Sequence, residues 1–196
     1  MDINILLFPD FESLDVFGPA EILGSIDKYH LRFISAHGGI VTSKQGVPIL
    51  AEALDEIDYS AILLIPGGFG VRPLINDAHF IAMVKFLASQ AKYCLTVCTG
   101  SALLAKTGLL DSRRATSNKI SFEWVQSINS NVDWIGNARW VIDGKYYSSS
   151  GVTAGMDMTL GFVSDIWGKD IAIKTANYME YVWNSDKDKD LFAYKV

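Results

Sequence analysis

Apolar positions along this chain gather into strand-length runs separated by stretches of helical spacing. Residues 3–8, 31–35 and 61–65 are dominated by Ile, Leu and Phe, and residues 93–97, Tyr-Cys-Leu-Thr-Val, are apolar and β-prone. Runs this short and this apolar predict strands buried on both faces. Residues 15–24, 78–91 and the segment after 98 instead place apolar residues on one side of a helix, and Gly108 is positioned to cap the last of these. Beyond Gly155, residues 156–167 and 171–183 predict two closing helices. Strand and helix alternating in this order specify a three-layer α/β sandwich with a mostly parallel central sheet. Residues 39–50, which include Gly46 and Pro48, and residues 138–150, with Asp143-Gly144 in the middle, predict antiparallel hairpins added at the sheet edge.

Composition bounds this picture. The 196 residues are 49% hydrophobic and 20% charged, enough for a packed core, and predict one domain over 1–196 with nothing appended. Residues 185–190, a Ser followed by alternating Asp and Lys, read as a solvated charge run. A net charge of -5 supplies no basic face, so nucleic acid is not an expected partner. The apolar start lacks a basic flank and breaks at Pro9, which argues against both a signal and a membrane span and for a cytoplasmic protein. Two cysteines four positions apart, Cys94 and Cys98, suggest neither a disulfide framework nor a metal cage, and no metal or cofactor is expected.

The candidate chemistry lies where predicted strands end. Residues 93–97 stop at Cys98, and a helix follows at once, so Cys98 sits on a strand-to-helix elbow that pushes its thiol out at the sheet top. The helix N-terminus after it favours a thiolate. Cys94, inside the strand, reads as core. In an open parallel sheet, ligands bind beyond the carboxyl ends of the strands. Three more segments fall there. Asp15 follows the first strand, near a helix start, where it is either an N-cap or a functional acid. Pro66-Gly67-Gly68-Phe69-Gly70 is a loop whose glycines let amides approach a ligand, and Gly151-Val152-Thr153-Ala154-Gly155 is a second small-residue turn. Together they supply a thiol, a carboxylate and amide donors for nucleophilic catalysis on a small molecule. Phe69, Arg72, Phe122 and Val152 are candidate pocket walls. His30, His37 and His79 are scattered and read as surface residues.

These motifs, in this order, resemble the DJ-1/PfpI superfamily. Ile65-Pro66-Gly67-Gly68 is similar to its glycine loop, and Val97-Cys98-Thr99-Gly100-Ser101 with Leu103-Leu104-Ala105 is similar to its nucleophile elbow. Leu14-Asp15-Val16-Phe17-Gly18-Pro19 is similar to the branch that contains isonitrile hydratase and the sensor domains of certain AraC-type regulators. The resemblance implies a flavodoxin-like fold, a homodimer, Cys98 as nucleophile, Asp15 as its acidic partner, Thr99 as the residue beside it, and Gly68 and Thr99 amides as oxyanion-type donors, with Gly67 and Val152 bordering the substrate. Relatives commonly carry a histidine after the elbow helix where this chain has Asn118. That departure disfavours peptidase, amidase and glyoxalase chemistry, which use a histidine beside the thiol. It leaves an isonitrile hydratase-like lyase as the leading expectation, with a non-catalytic redox or small-molecule sensor, or a glyoxalase- or amidase-like member of the superfamily, as the alternatives.

Overall fold

The computed structural model describes residues 1–193. Its strands are β1 (Asp2–Leu6), β2 (His30–Ile34), β3 (Gly39–Thr42), β4 (Pro48–Ala51), β5 (Ile62–Ile65), β6 (Tyr93–Thr96), β7 (Arg114–Ala115), β8 (Asp133–Trp134), β9 (Trp140–Asp143) and β10 (Tyr146–Ser149). Its helices are α1 (Ser13–Gly24), α2 (Val71–Leu74), α3 (Ala78–Gln90), α4 (Gly100–Lys106), α5 (Phe122–Ile128), α6 (Ala154–Trp167) and α7 (Lys169–Tyr178).

The main sheet has the order β2-β1-β5-β6-β10-β9, parallel throughout except for β9. This is the flavodoxin-like order with one antiparallel strand added at an edge. Burial follows position. All four residues of β5 and of β10 are buried, whereas the edge strand β2 is mostly exposed or half-buried. The apolar run 61–65 is continuous because helices cover both of its faces. On one side α1 packs on α6 and α6 on α7; on the other, α4 contacts α2, α3 and α5.

The hairpin predicted over 138–150 does stand at the sheet edge, with Gly144 in the left-handed conformation its turn requires (φ 60°). The one predicted over 39–50 does not. Strands β3 and β4 pair only with each other as a separate ribbon, tied to the main sheet through a single bridge from Glu52 to Ile34. The second closing helix ends at Tyr178, short of Trp183. Beyond it, Tyr181 Oη and the Asn184 amide donate to Asp157 Oδ1 (both 3.0 Å), and Trp183 Nε1 donates to the Asp157 carbonyl (3.1 Å). A buried carboxylate on α6 therefore captures the chain and turns it away from the helical path. The helix α5 and the short parallel pair β7 and β8 were not anticipated from the sequence.

Candidate active site

Because β1, β5, β6 and β10 run parallel, the segments that follow them emerge at one sheet edge and meet there. The approach to α1 bridges the glycine loop at Phe11 and Gly68, and the Glu12 amide donates to the Gly67 carbonyl at 2.9 Å. The Cys98 amide donates to the Ser150 carbonyl at 3.2 Å, which joins the elbow to the turn after β10.

Cys98 lies in the left-handed region at φ 57°, a conformation that costs a non-glycine residue and is held only by its surroundings. Ser101 and Ser117 hydroxyls donate to its carbonyl at 3.0 and 2.9 Å. Gly100 has no room for a Cβ, which would strike the Ile65 and Pro66 carbonyls, so the helix after the elbow packs hard against the end of β5. Val152, facing the elbow, is also left-handed at φ 43°. The amides of Thr99 and Val152, with the Thr99 hydroxyl, donate toward the sulfur.

Asp15 is fully buried in the first turn of α1, whose N-cap is Glu12. Its side chain does no capping. Oδ2 instead accepts from the Gly67 amide at 2.9 Å, while Oδ1 makes no hydrogen bond of good geometry and the carboxyl's other contact is the Cys98 thiol. Burial, reinforced by the nearby Glu12 charge and opposed by the Gly67 and Cys98 hydrogen bonds, raises the Asp15 pKa from 3.8 to about 7. Burial also pushes the Cys98 thiol up, with the Asp15 charge adding to the effect against the opposing amides. Burial thus works against the expected thiolate, and α4, only seven residues long, offers a short helix to oppose it. Cys98 is held as a thiol beside a carboxyl that titrates near neutrality.

The Gly68 amide is not an open donor, as expected from the resemblance, but is bonded to Thr99 Oγ1 at 3.1 Å. Gly68 takes φ 130°, a conformation side-chain-bearing residues rarely adopt, and a Cβ there would meet the Asp10 carbonyl and the Glu12 amide, so only glycine brings the two loops this close.

Above the thiol opens a cleft of about 360 Å³, lined by Glu12, Gly68, Phe69, Arg72, Cys98 and Thr99 on one part and by Asn118, Ile120, Ser121, Trp124 and Val152 on the other. Phe69, Arg72 and Val152 are wall residues as expected. Phe122 is not. It is 2% exposed, edge-on to Trp134, and turned into the core with Val125, so that its neighbour Trp124 faces the cleft. The spacing of Phe122 and Val125 is the signal that identifies Trp124. Asn118 stands in the cleft, its Oδ1 accepting from the Ser121 amide at 3.0 Å, and no histidine lines the walls.

A flavodoxin-like sandwich with a cysteine on a strained strand-to-helix elbow, faced by a glycine loop, defines a class of α/β proteins. Within it the chain belongs to the DJ-1/PfpI family, which it matches over residues 1–165. It is 30% identical over 182 residues to an isonitrile hydratase of Pseudomonas putida, covering 92% of this chain and 78% of that protein. It is 28% identical over 184 residues to the HTH-type transcriptional regulator CdhR of Pseudomonas aeruginosa, covering 89% of this chain but only 53% of the regulator. A crystal structure of a ThiJ/PfpI family protein from Pseudomonas syringae superposes with a TM-score of 0.84 at 28% identity, over 92% of this chain and 74% of that one. Among the described residues no helix is long and apolar enough to cross a membrane.

Proposed function

We propose that this chain is an isonitrile hydratase-like lyase that converts an isonitrile to an N-substituted formamide through Cys98, with Asp15 carrying the proton. The observation behind the reading is the buried Asp15 carboxyl, titrating near 7 beside the Cys98 thiol, with no histidine among the residues that line the cleft reaching Cys98. A carboxyl with that pKa is close to half-ionised at neutral pH and suited to take up and return a proton.

The Cys98 sulfur bonds to the terminal isonitrile carbon while Asp15 removes the thiol proton and delivers it to that same carbon, giving a thioformimidate. Water then adds across its C=N bond, oxygen to carbon and hydrogen to nitrogen. Collapse of the tetrahedral adduct breaks the C–S bond, and Asp15 passes the hydroxyl proton back to sulfur. The sum is isonitrile plus water to formamide, with both side chains restored. The Thr99 and Val152 amides support charge on sulfur as it builds. Gly67 fixes the Oδ2 end of Asp15 and leaves Oδ1 to move the proton, and Gly68 acts through the Thr99 hydroxyl. The reading includes a cytoplasmic homodimer, for which exposed Leu14 and Phe17 on α1 offer an apolar face.

An oxidant sensor has less support, because peroxide reacts with thiolates and the burial of Cys98 disfavours that form. Incubation with cyclohexyl isocyanide and chromatographic detection of N-cyclohexylformamide tests the proposal. Product is expected from the wild type and none from Cys98→Ala; absence of formamide, or equal turnover by the variant, refutes it.

A further inference from the structure

The cleft wall holds one cation, Arg72, in the short helix α2 just after the glycine loop. Its guanidinium lies over the Trp124 ring with Cζ 4.3 Å from the ring centroid. A cation–π contact of this kind uses none of the guanidinium's N–H groups as hydrogen-bond donors. Among the described residues no carboxylate pairs with Arg72 and no acceptor bonds its side chain. Glu12 lines the same cleft without pairing to it and is held instead by Gln45, whose Nε2 donates to Glu12 Oε1 at 2.6 Å. Beside the polar Thr99, Asn118 and Ser121, the wall displays two apolar side chains: Phe69, 62% exposed with Lys44 Nζ 4.8 Å from its ring centroid, and Ile120, 97% exposed. Large apolar side chains displayed at the rim of a cleft mark a contact surface for an apolar group.

We infer that the cleft is built for a substrate carrying a carboxylate and an apolar substituent, with Arg72 binding the carboxylate. Combined with the hydratase reading, on which this identification of the reacting group rests, the substrate class is an isocyano carboxylate. Its isonitrile carbon meets Cys98, its apolar group lies against Phe69, Ile120 and Trp124, and its carboxylate takes the free edge of Arg72. A guanidinium edge matches two carboxylate oxygens at once, and a site open to solvent leaves a gain of about ten-fold over a neutral analogue.

The test compares 2-isocyano-3-phenylpropanoate with its primary amide as substrates for the wild type, Arg72→Gln and Arg72→Lys. The wild type is expected to prefer the acid by about ten-fold in kcat/KM, with the preference shrinking as salt rises from about 0.05 M to about 0.5 M. In Arg72→Gln the ratio of acid to amide kcat/KM is expected to fall to about one, whatever the absolute rates, and Arg72→Lys recovers part of the preference. Equal rates for acid and amide in the wild type, or a preference that survives in Arg72→Gln, overturns the inference. If neither isonitrile is turned over, the hydratase reading fails and the carboxylate site is decided separately. In that case 3-phenylpropanoate should protect Cys98 from iodoacetamide at about ten-fold lower concentration than 3-phenylpropanamide, with the difference lost in Arg72→Gln; equal protection overturns the site.

Discussion

Replacing Asp15 by Asn should make this protein more stable at alkaline pH while removing its activity. The folded protein holds the Asp15 proton up to about pH 7, whereas an unfolded chain releases it near 3.8. A raised carboxyl pKa contributes stability that is complete below the unfolded value and is lost as pH climbs to the folded value. The interval from 3.8 to about 7, at about 1.4 kcal/mol per pH decade, sets that loss on the order of 4 kcal/mol. Asn keeps the shape and accepts the Gly67 amide bond through its carbonyl oxygen, but it carries no charge to bury. Urea unfolding of both proteins is therefore expected to give similar stabilities near pH 4 and a gap that widens through pH 7 and then levels. At about 2–4 °C per kcal/mol for a chain of this size, the variant should melt roughly 10 °C higher at pH 8. A gap that is the same at pH 4 and pH 8, or one of opposite sign at pH 8, would refute the placement of Asp15 as a buried acid. A buried carboxyl retained at that cost fits the proposed proton-transfer role, in which stability is exchanged for function.

Two further substitutions probe the scaffold. In Gly67→Ala the new Cβ would lie 2.6 Å from the Thr99 amide and 3.0 Å from Asp15 Oδ2, so the loops must separate; a loss of about 1–3 kcal/mol in urea unfolding together with slower turnover is expected, and wild-type values for both would contradict the packing. Arg139→Met removes the cation that bonds Asp157 Oδ2 at 2.6 Å and lies 3.5 Å from Asp190, leaving buried carboxylates uncompensated; the expected loss is about 3–5 kcal/mol, and unchanged stability would show that the cluster does not hold the segment after α7.

The parallel core was legible because a strand buried on both faces must be apolar at nearly every position, as 61–65 is. The pairing of 39–50 was legible as a hairpin, but its partner was not, since alternation and turn residues specify local pairing and say nothing about which neighbour lies beside it. Cys98, Asp15 and Gly67 could be placed at one sheet edge from topology alone. The state of the thiol could not, because it depends on how deeply Cys98 is buried and on a carboxyl far away in sequence. Phe122 was misplaced for a related reason: in a seven-residue helix, the choice of inward face rests on the pair Phe122 and Val125, too short a pattern to stand out in the sequence. Trp183 continues a helical apolar spacing in the sequence, and only the tertiary bonds to Asp157 turn it off the helix.

Alkylation of Cys98 by iodoacetamide, followed against pH in the wild type and in Asp15→Asn, tests most directly whether the carboxyl is the thiol's proton partner. The wild-type rate is expected to rise through a limb centred near pH 7, where Asp15 ionises, and the variant is expected to lose that limb and react only at the higher pH its own buried thiol requires. Superimposable profiles for the two proteins would contradict it.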